Sequence, residues 1–247
     1  VTLRRALASP AAKHRYVRWL FATIADRYDL ITVLLSYGQD RRWKRRLVDG
    51  AGLCAGRAAL DLACGTGDIA FELARRGARV VGLDVTPRMV ELARARALSQ
   101  TDGICAPRLL VGDMMALPFP DASFDVVTTG YGVRNVPIIE TALEEIRRVL
   151  KPGGLLLSLD FNRPDRPAIR AIYLTYLTIV GSALGLALHG RSDTYRYIPA
   201  TIRRYPGGNG VARLLRDLQF DEVRYVPVFG GLMAIHSARR PATARGS

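Results

Sequence analysis

The sequence predicts an α/β protein, a doubly wound, mostly parallel seven-stranded sheet with helices on both faces. Three observations carry that expectation. Short apolar runs alternate with amphipathic ones across residues 57–161, and strands separated by helices need the crossovers of a parallel sheet. A glycine-rich turn, Cys64-Gly65-Thr66-Gly67, joins the first strand to the first of these helices. The last two apolar runs, 222–228 and 232–238, are joined through Gly230 and Gly231, a connection short enough for antiparallel pairing.

The elements follow in order. Residues 57–63 read as a strand, 68–76 as its helix and 79–84 as a second strand. Thr86-Pro87 marks a helix start, with proline at the first helical position, and that helix reaches about residue 99. Strands at 108–112 and 124–129 flank a turn at 118–122. A helix over 139–150 is stopped by Pro152-Gly153-Gly154, and 155–161 is apolar and of strand length. A helix at 210–218 precedes the final strand pair.

Residues 171–188 carry no charge, which sits at the lower bound for a membrane span. A span there would put the strand at 155–161 and the strand at 222–228 on opposite sides of a bilayer, where they could not share one sheet. The segment is therefore read as helices of an insertion, lying on or dipping into a membrane surface.

The 247 residues are 49% hydrophobic and 23% charged, enough for a sizeable core and unlike a disordered chain. Three cysteines, Cys54, Cys64 and Cys105, form no CxxC pair and no zinc spacing, which points to a reducing compartment. Residues 1–20 hold five basic side chains and no apolar run, so no secretory signal is expected there. These features exclude a disulfide scaffold, a zinc finger and a collagen. The net charge of +14 is divided as +7 in residues 1–50, −1 in 51–160 and +8 in 161–247. A near-neutral centre between two basic flanks suggests a face that meets an anionic surface.

The chemistry gathers around Asp61-Leu-Ala-Cys-Gly65-Thr66-Gly67-Asp68. Glycines let the backbone turn tightly and approach a ligand closely. The helix start that follows offers free amides and a positive dipole end. Asp84 ends the second strand, 17 residues after Gly67, where a carboxylate can accept hydrogen bonds from two ribose hydroxyls. Asp113 at the third strand end offers a carboxylate to an adenine amino group. Together they indicate a nucleoside-containing cofactor. Gly65 to Ala70 also satisfies GxGxxA, so a nicotinamide enzyme is an alternative. Asp61 inside the strand opposes it, as does the lack of a tyrosine four residues before Lys13, Lys44 or Lys151. Each residue has an ordinary structural reading as well: a tight turn at Gly65 and Gly67, exposed carboxylates at Asp84 and Asp113, an ion-paired Arg134, a turn at Asn135, and core positions for Tyr28 and His236.

The 61–68 motif resembles the first motif of class I S-adenosylmethionine-dependent methyltransferases, and Arg147-Arg148-Val149-Leu150-Lys151-Pro152-Gly153-Gly154 resembles their later motif. From Phe21 to His236 the chain is similar to the ubiquinone/menaquinone biosynthesis C-methyltransferase family. The resemblance includes Ser36-Tyr37-Gly38 with Arg41-Arg42-Trp43-Lys44, and Ala116-Leu-Pro-Phe-Pro-Asp121. Gly132-Val133-Arg134-Asn135-Val136, Tyr195-Arg-Tyr197 and Gly231-Leu-Met-Ala-Ile-His236 complete it.

The resemblance implies a Rossmann-like methyltransferase domain over 51–247, N-terminal helices in 1–50 that cap the cofactor, and a helical lid near 162–206. It implies S-adenosylmethionine as cofactor, held by Tyr28, Asp61, Gly65, Thr66, Gly67, Asp84, Asp113, Met114 and Gly130, and no metal. Methyl transfer to a ring carbon calls for a base or a phenolate stabiliser at the fourth strand end, where Tyr131, Arg134 and Asn135 lie, with Arg134 expected to steady a phenolate and Asn135 to hold a water or the second ring oxygen. The expected acceptor is a lipophilic quinol, since a ring carbon becomes nucleophilic only when an adjacent hydroxyl ionises. Peripheral contact with an anionic membrane and a cytoplasmic location are expected. Nucleic acid is not, because Gly130-Tyr131-Gly132 replaces the Asn/Asp-Pro-Pro-aromatic motif of nucleic-acid methyltransferases. Three positions depart from the family: Gly130 for a frequent serine, Thr32 for asparagine and Asp40 for histidine. Thr32 and Asp40 keep open a phospholipid amine or a secondary metabolite as acceptor. The head group, the prenyl length and the oligomeric state are left open.

Overall fold

The computed structural model describes residues 3–36, 38–52, 55–100, 105–190 and 194–242, so Tyr37 and Cys54 lie outside the described residues. Four helices come first: α1 (Leu3–Ala6), α2 (Pro10–Ile24), α3 (Tyr28–Leu35) and α4 (Asp40–Asp49). Helix α2 starts where its sequence favours a start. The Ser9 hydroxyl accepts a hydrogen bond from the Ala12 amide, and Pro10 fills the first helical position.

The alternating region gives β1 (Ala58–Leu62), α5 (Asp68–Arg75), β2 (Arg79–Asp84), α6 (Pro87–Gln100), β3 (Arg108–Val111), β4 (Phe124–Gly130), α7 (Ile139–Val149) and β5 (Leu150–Phe161). Then come α8 (Pro167–His189), α9 (Tyr197–Arg204), α10 (Gly207–Asp217), β6 (Asp221–Val228) and β7 (Met233–Arg239). The strands form one seven-stranded sheet in the order β3-β2-β1-β4-β5-β7-β6. All are parallel except β7, which runs antiparallel to β5 and β6. From β1 the chain builds outward to β3 and returns to β4 on the other side, which leaves a crevice at the carboxyl ends of β1 and β4.

Strand alternation divides the apolar residues between two faces. Leu60 and Leu62 of β1 pack with Leu143, Ile146 and Val149 of α7 and Val211 and Leu215 of α10. Ala59 packs on the opposite face with Trp43, Leu47 and Val48 of α4 and Ile69 and Leu73 of α5. The buried positions of α7 recur every three or four residues, as a single apolar stripe requires.

One expected boundary moves. Pro152-Gly153-Gly154 does not separate helix from strand but sits inside β5, which starts at Leu150. Pairing passes from Phe124–Leu150 to Val126–Leu155, so the extra residues bulge out of register. Gly153 has φ +75°, a conformation that suits glycine at such a bulge.

The uncharged stretch lies within one 23-residue helix, α8, with a mean hydropathy of 1.8 over its most apolar window and only 28% of that window buried. Both flanking strands belong to the same sheet. Helix α8 packs through Val180, Leu184 and Leu188 against Leu20 and Ile24 of α2 and Ile31 and Leu35 of α3. The Arg27 guanidinium, just before α3, donates to the Leu188 carbonyl at the far end of α8.

Candidate active site

The turn after β1 is built from backbone that glycine permits. Gly65 and Gly67 have φ of +54° and +92°, and a Cβ on Gly67 would fall 2.7 Å from the Phe71 ring. The Gly65 amide donates to Asp84 Oδ2 at 2.9 Å, and the Thr86 amide donates to Asp84 Oδ1 at 2.8 Å. Asp84 is thus fixed at the end of β2 with lone pairs to spare; burial raises its pKa. Asp113 accepts from the Met115 amide, and its Oδ2 lies 3.4 Å from His14 Nε2 on α2. Met114 beside it is buried.

These residues border a cavity of about 640 Å³ at the carboxyl ends of the strands, roofed by α2. Tyr28, Gly65, Asp84, Asp113, Met114 and Gly130 all line it. A smaller chamber of about 290 Å³ adjoins it and is bordered by Lys44, Asp61, Gly65, Thr66, Gly130 and Tyr131. Asp61 is almost fully buried; its Oδ1 accepts from Thr128 at 2.8 Å, while Oδ2 has no well-aligned hydrogen-bond partner among the described residues. Burial pushes the Asp61 carboxyl up to about 7, against the pull of the Thr128 hydroxyl and Lys44. Lys44 bridges Asp40 at 2.6 Å and Asp68 at 2.8 Å, and Arg96 also pairs with Asp68. Burial alone would raise Asp68, yet Lys44 and Arg96 hold it down to about 2. Thr66 donates to Asp29 at 2.7 Å, which ties the loop to α3.

A third cavity, of about 630 Å³, is walled by apolar and aromatic side chains of α2, α3 and α9, among them Leu20, Ile31, Leu35 and Ile198. Phe21, Tyr28, Tyr131 and Asn135 line both this cavity and the 640 Å³ one. The chamber that holds Asp84 and Asp113 therefore shares a wall with the chamber between α2, α3 and α9.

The turn after β4 supplies much of that wall. Tyr131 has φ +61°, is buried, and donates its hydroxyl to Asp40 Oδ1 at 2.7 Å. The Asn135 amide nitrogen donates to the Tyr131 carbonyl at 2.7 Å, leaving a buried Oδ1 with no partner among the described residues. Arg134 is placed differently from a side chain free to reach an acceptor. Its guanidinium lies 3.4 Å from buried Asp160, bonds to the Thr201 hydroxyl and covers the Phe161 ring. It still borders the apolar cavity. His236 is buried with Nε2 2.8 Å from the Gly208 carbonyl, and burial lowers its pKa, so it is a neutral core residue.

Comparison with known proteins agrees with this geometry. A model of the ubiE/COQ5 methyltransferase family matches residues 10–240. The chain belongs to that family. Demethylmenaquinone methyltransferase of Thermus thermophilus is 42% identical over 90% of this chain and 100% of its own. A ubiquinone/menaquinone biosynthesis C-methyltransferase of Dinoroseobacter shibae is 40% identical over 90% of this chain and 89% of its own. A solved SAM-dependent methyltransferase of Thermotoga maritima superposes with a TM-score of 0.64 at 19% identity, covering 91% and 99% of the two chains. As a member of the ubiE/COQ5 family the protein is a methyltransferase, and its sheet is the class I methyltransferase fold.

Lys44, Phe21, Asp160 and Thr201 belong to this site although they lie outside the 61–68 motif and the strand-end residues expected from the sequence. The four-residue spacing of Asp40 and Lys44 on one helix was the available signal for the first. Asp160 and Thr201 lie 26 and 67 residues from Arg134, and no local pattern connects them.

Proposed function

We propose that this ubiE/COQ5 family member transfers the methyl group of S-adenosylmethionine to a ring carbon of a prenylated quinol in quinone biosynthesis. The observation that carries the reading is the wall shared by Phe21, Tyr28, Tyr131 and Asn135 between the chamber that holds Asp84, Asp113 and Met114 and the one walled by Leu20, Ile31, Leu35 and Ile198. The named activities of the Thermus and Dinoroseobacter relatives support it.

The residues present fit the cofactor. Asp61, whose buried Oδ2 has no well-aligned hydrogen-bond partner among the described residues, and the Lys44 ammonium border one small chamber, a pairing suited to an amino-acid zwitterion. Asp84 suits a ribose diol, and the pocket beside Met114 and Asp113 suits adenine. The cofactor supplies a methyl group on a cationic sulfur. The protein aligns the acceptor with it and keeps water away, and alignment alone can contribute roughly 7–11 kcal/mol of the barrier. The Asn135 Oδ1 acceptor is placed to take a hydrogen bond from an acceptor hydroxyl and so to orient the ring. Arg134, held by Asp160, is a fixed positive charge beside the apolar chamber that favours a developing phenolate.

The tail of such an acceptor lies in a bilayer. Ile172, Ile179 and Leu186 recur every seven residues along the exposed face of α8, and Leu30, Val33 and Leu34 are exposed on α3, which packs against it. With exposed Arg166 directly before α8, this face suits peripheral docking on an anionic membrane.

The test is release of S-adenosylhomocysteine with a short-chain demethylmenaquinol, run beside the oxidised quinone. Turnover with the quinol alone supports the reading. No turnover with either, despite measurable cofactor binding, overturns it.

A further inference from the structure

Tyr131 stands on the wall between the two chambers, and its hydroxyl donates to a buried carboxylate. A phenol that donates to Asp40 keeps its own lone pairs free to accept a hydrogen bond. Asp40 is 3% exposed, its amide is fixed by the Ser36 hydroxyl at 3.1 Å, and its second oxygen lies 2.6 Å from Lys44. Lys44 is anchored in turn by Asp68. The carboxylate is therefore locked in place, and Tyr131 is the group between it and the acceptor chamber. The left-handed backbone of Tyr131, uncommon for a bulky residue, is the conformation that delivers the ring there.

We propose that Asp40 and Tyr131 form a proton relay in which Tyr131 takes the proton of the acceptor hydroxyl while passing its own to Asp40. This rests on the quinol reading and names the base for that reaction. The acceptor O–H gives its proton to Tyr131 Oη as the Tyr131 proton moves to Asp40 Oδ1. The freed electron pair moves into the ring and forms the new carbon–carbon bond while the carbon–sulfur bond of the sulfonium breaks, its pair remaining on sulfur. The methylated ring carbon then loses its hydrogen to water as a proton, and the relay run in reverse restores the ring hydroxyl. One proton is released per turnover.

The charged and titratable groups around the relay come from every element packed on it. Lys44 lies on the same helix as Asp40, Tyr28 on α3, Asp61 on β1, Asp68 on α5 and Asp160 on β5. Burial, followed by the Asp40 charge, raises the Tyr131 phenol well above its ordinary value. A lasting tyrosinate is thereby disfavoured, so the phenol hands a proton on rather than giving one up. Asp40 acts through Tyr131 and is a positioning residue and proton sink; Tyr131 is the group that touches the acceptor.

Asp40→Asn keeps an oxygen for the Tyr131 hydroxyl and removes the basic site. The expected result is a fall of about 10²–10⁴ in kcat with KM within a factor of about two. Tyr131→Phe should fall similarly, and the double variant no further than either alone, because one relay is broken once. Asp40→His should recover part of kcat and move the acid limb of the pH–rate profile up toward about 6.5, which a structural role would not do. In the cofactor-free protein, 1-naphthol titrated by fluorescence should bind wild type and Asp40→Asn equally. An Asp40→Asn enzyme with wild-type kcat, additive losses in the double variant, or naphthol binding weakened in step with kcat/KM overturns the relay. Should Asp40→Asn fail to fold, Tyr131→Phe with full kcat overturns it equally. A wild-type enzyme that leaves the quinol unmethylated removes the reading beneath the relay and the relay with it; a wild-type enzyme that methylates it, with the variants unaffected, overturns the relay alone.

Discussion

Arg134 and Asp160 face each other at 3.4 Å in the interior, and the Asp160 carboxylate also accepts the Arg134 backbone amide at 3.0 Å. Both side chains are nearly inaccessible to solvent. The pair fastens the turn after β4 to the end of β5, and that turn carries Tyr131 and Asn135.

Removing either partner should therefore cost stability before it costs chemistry. Arg134→Ala and Asp160→Ala should each lower the unfolding free energy by about 3–5 kcal/mol, since each leaves a buried charge without its partner. Denaturant titration of the purified variants measures this. Arg134→Ala with wild-type stability would mean that the pair does not hold the turn.

Asp61 should trade stability against cofactor binding. Its carboxyl titrates near 7 in the folded protein, against about 3.9 in an unfolded chain. Between these values the folded state binds the extra proton, so stability from this group is full below about pH 4 and is lost as pH rises through 7. Asp61→Asn removes that dependence, and its stability relative to wild type should increase from pH 5 to pH 8 in thermal melts. The same variant should bind S-adenosylmethionine about 10–100-fold more weakly by calorimetry, the usual loss for a charge-assisted hydrogen bond.

Gly132 admits no larger residue. A Cβ there would fall 2.4 Å from Thr129 Oγ1 and 2.8 Å from the Ala63 methyl group. Gly132→Ala should cost about 1–3 kcal/mol of stability through overpacking and reduce kcat by displacing Tyr131. Melts and single-turnover kinetics read the two effects separately.

The exposed face of α8 gives a prediction that leaves the chemistry alone. Replacing Ile172, Ile179 and Leu186 with serine should reduce co-sedimentation with anionic vesicles. Turnover of a short-chain quinol in detergent-free buffer should stay unchanged, while turnover of a long-chain quinol in vesicles falls. Equal sedimentation of wild type with neutral and anionic vesicles at low salt would remove the docking role.

His236 sets one acid-side limit on stability. Burial holds its folded pKa below the ordinary 6.5, so its contribution is present above that value and is lost as pH falls through the lower folded value. His236→Gln, which retains a donor for the Gly208 carbonyl, should flatten that part of the stability curve below pH 6.5.

Much of the fold was legible in the sequence because each strand and helix of the alternating region carries its own period. The 79–84 strand has the same bounds in sequence and structure, helix α6 starts at Pro87 as the Thr86-Pro87 pair predicts, and the last two strands pair antiparallel. Pro152-Gly153-Gly154 misled because those residue types serve equally for a helix stop and for a bulge, and only the neighbouring strand decides between them. At the site, the glycine loop and Asp84 were visible because their spacing is local. Arg134 was visible as a residue, but its bond to Asp160 depends on how β4 and β5 pair. The fate of Asp40 was hidden for the same reason: Tyr131 lies 91 residues away.

The wall shared by Phe21, Tyr28, Tyr131 and Asn135 bears on how such an enzyme changes its acceptor over evolutionary time. With the cofactor and the acceptor in those two chambers, as proposed above, any substitution among those four alters both occupants at once, so a new acceptor reached through them brings a penalty in cofactor affinity. Ile31, Thr32, Leu35 and Ile198 border the apolar chamber alone. Divergence in acceptor choice has its open route there, and Thr32 stands on it.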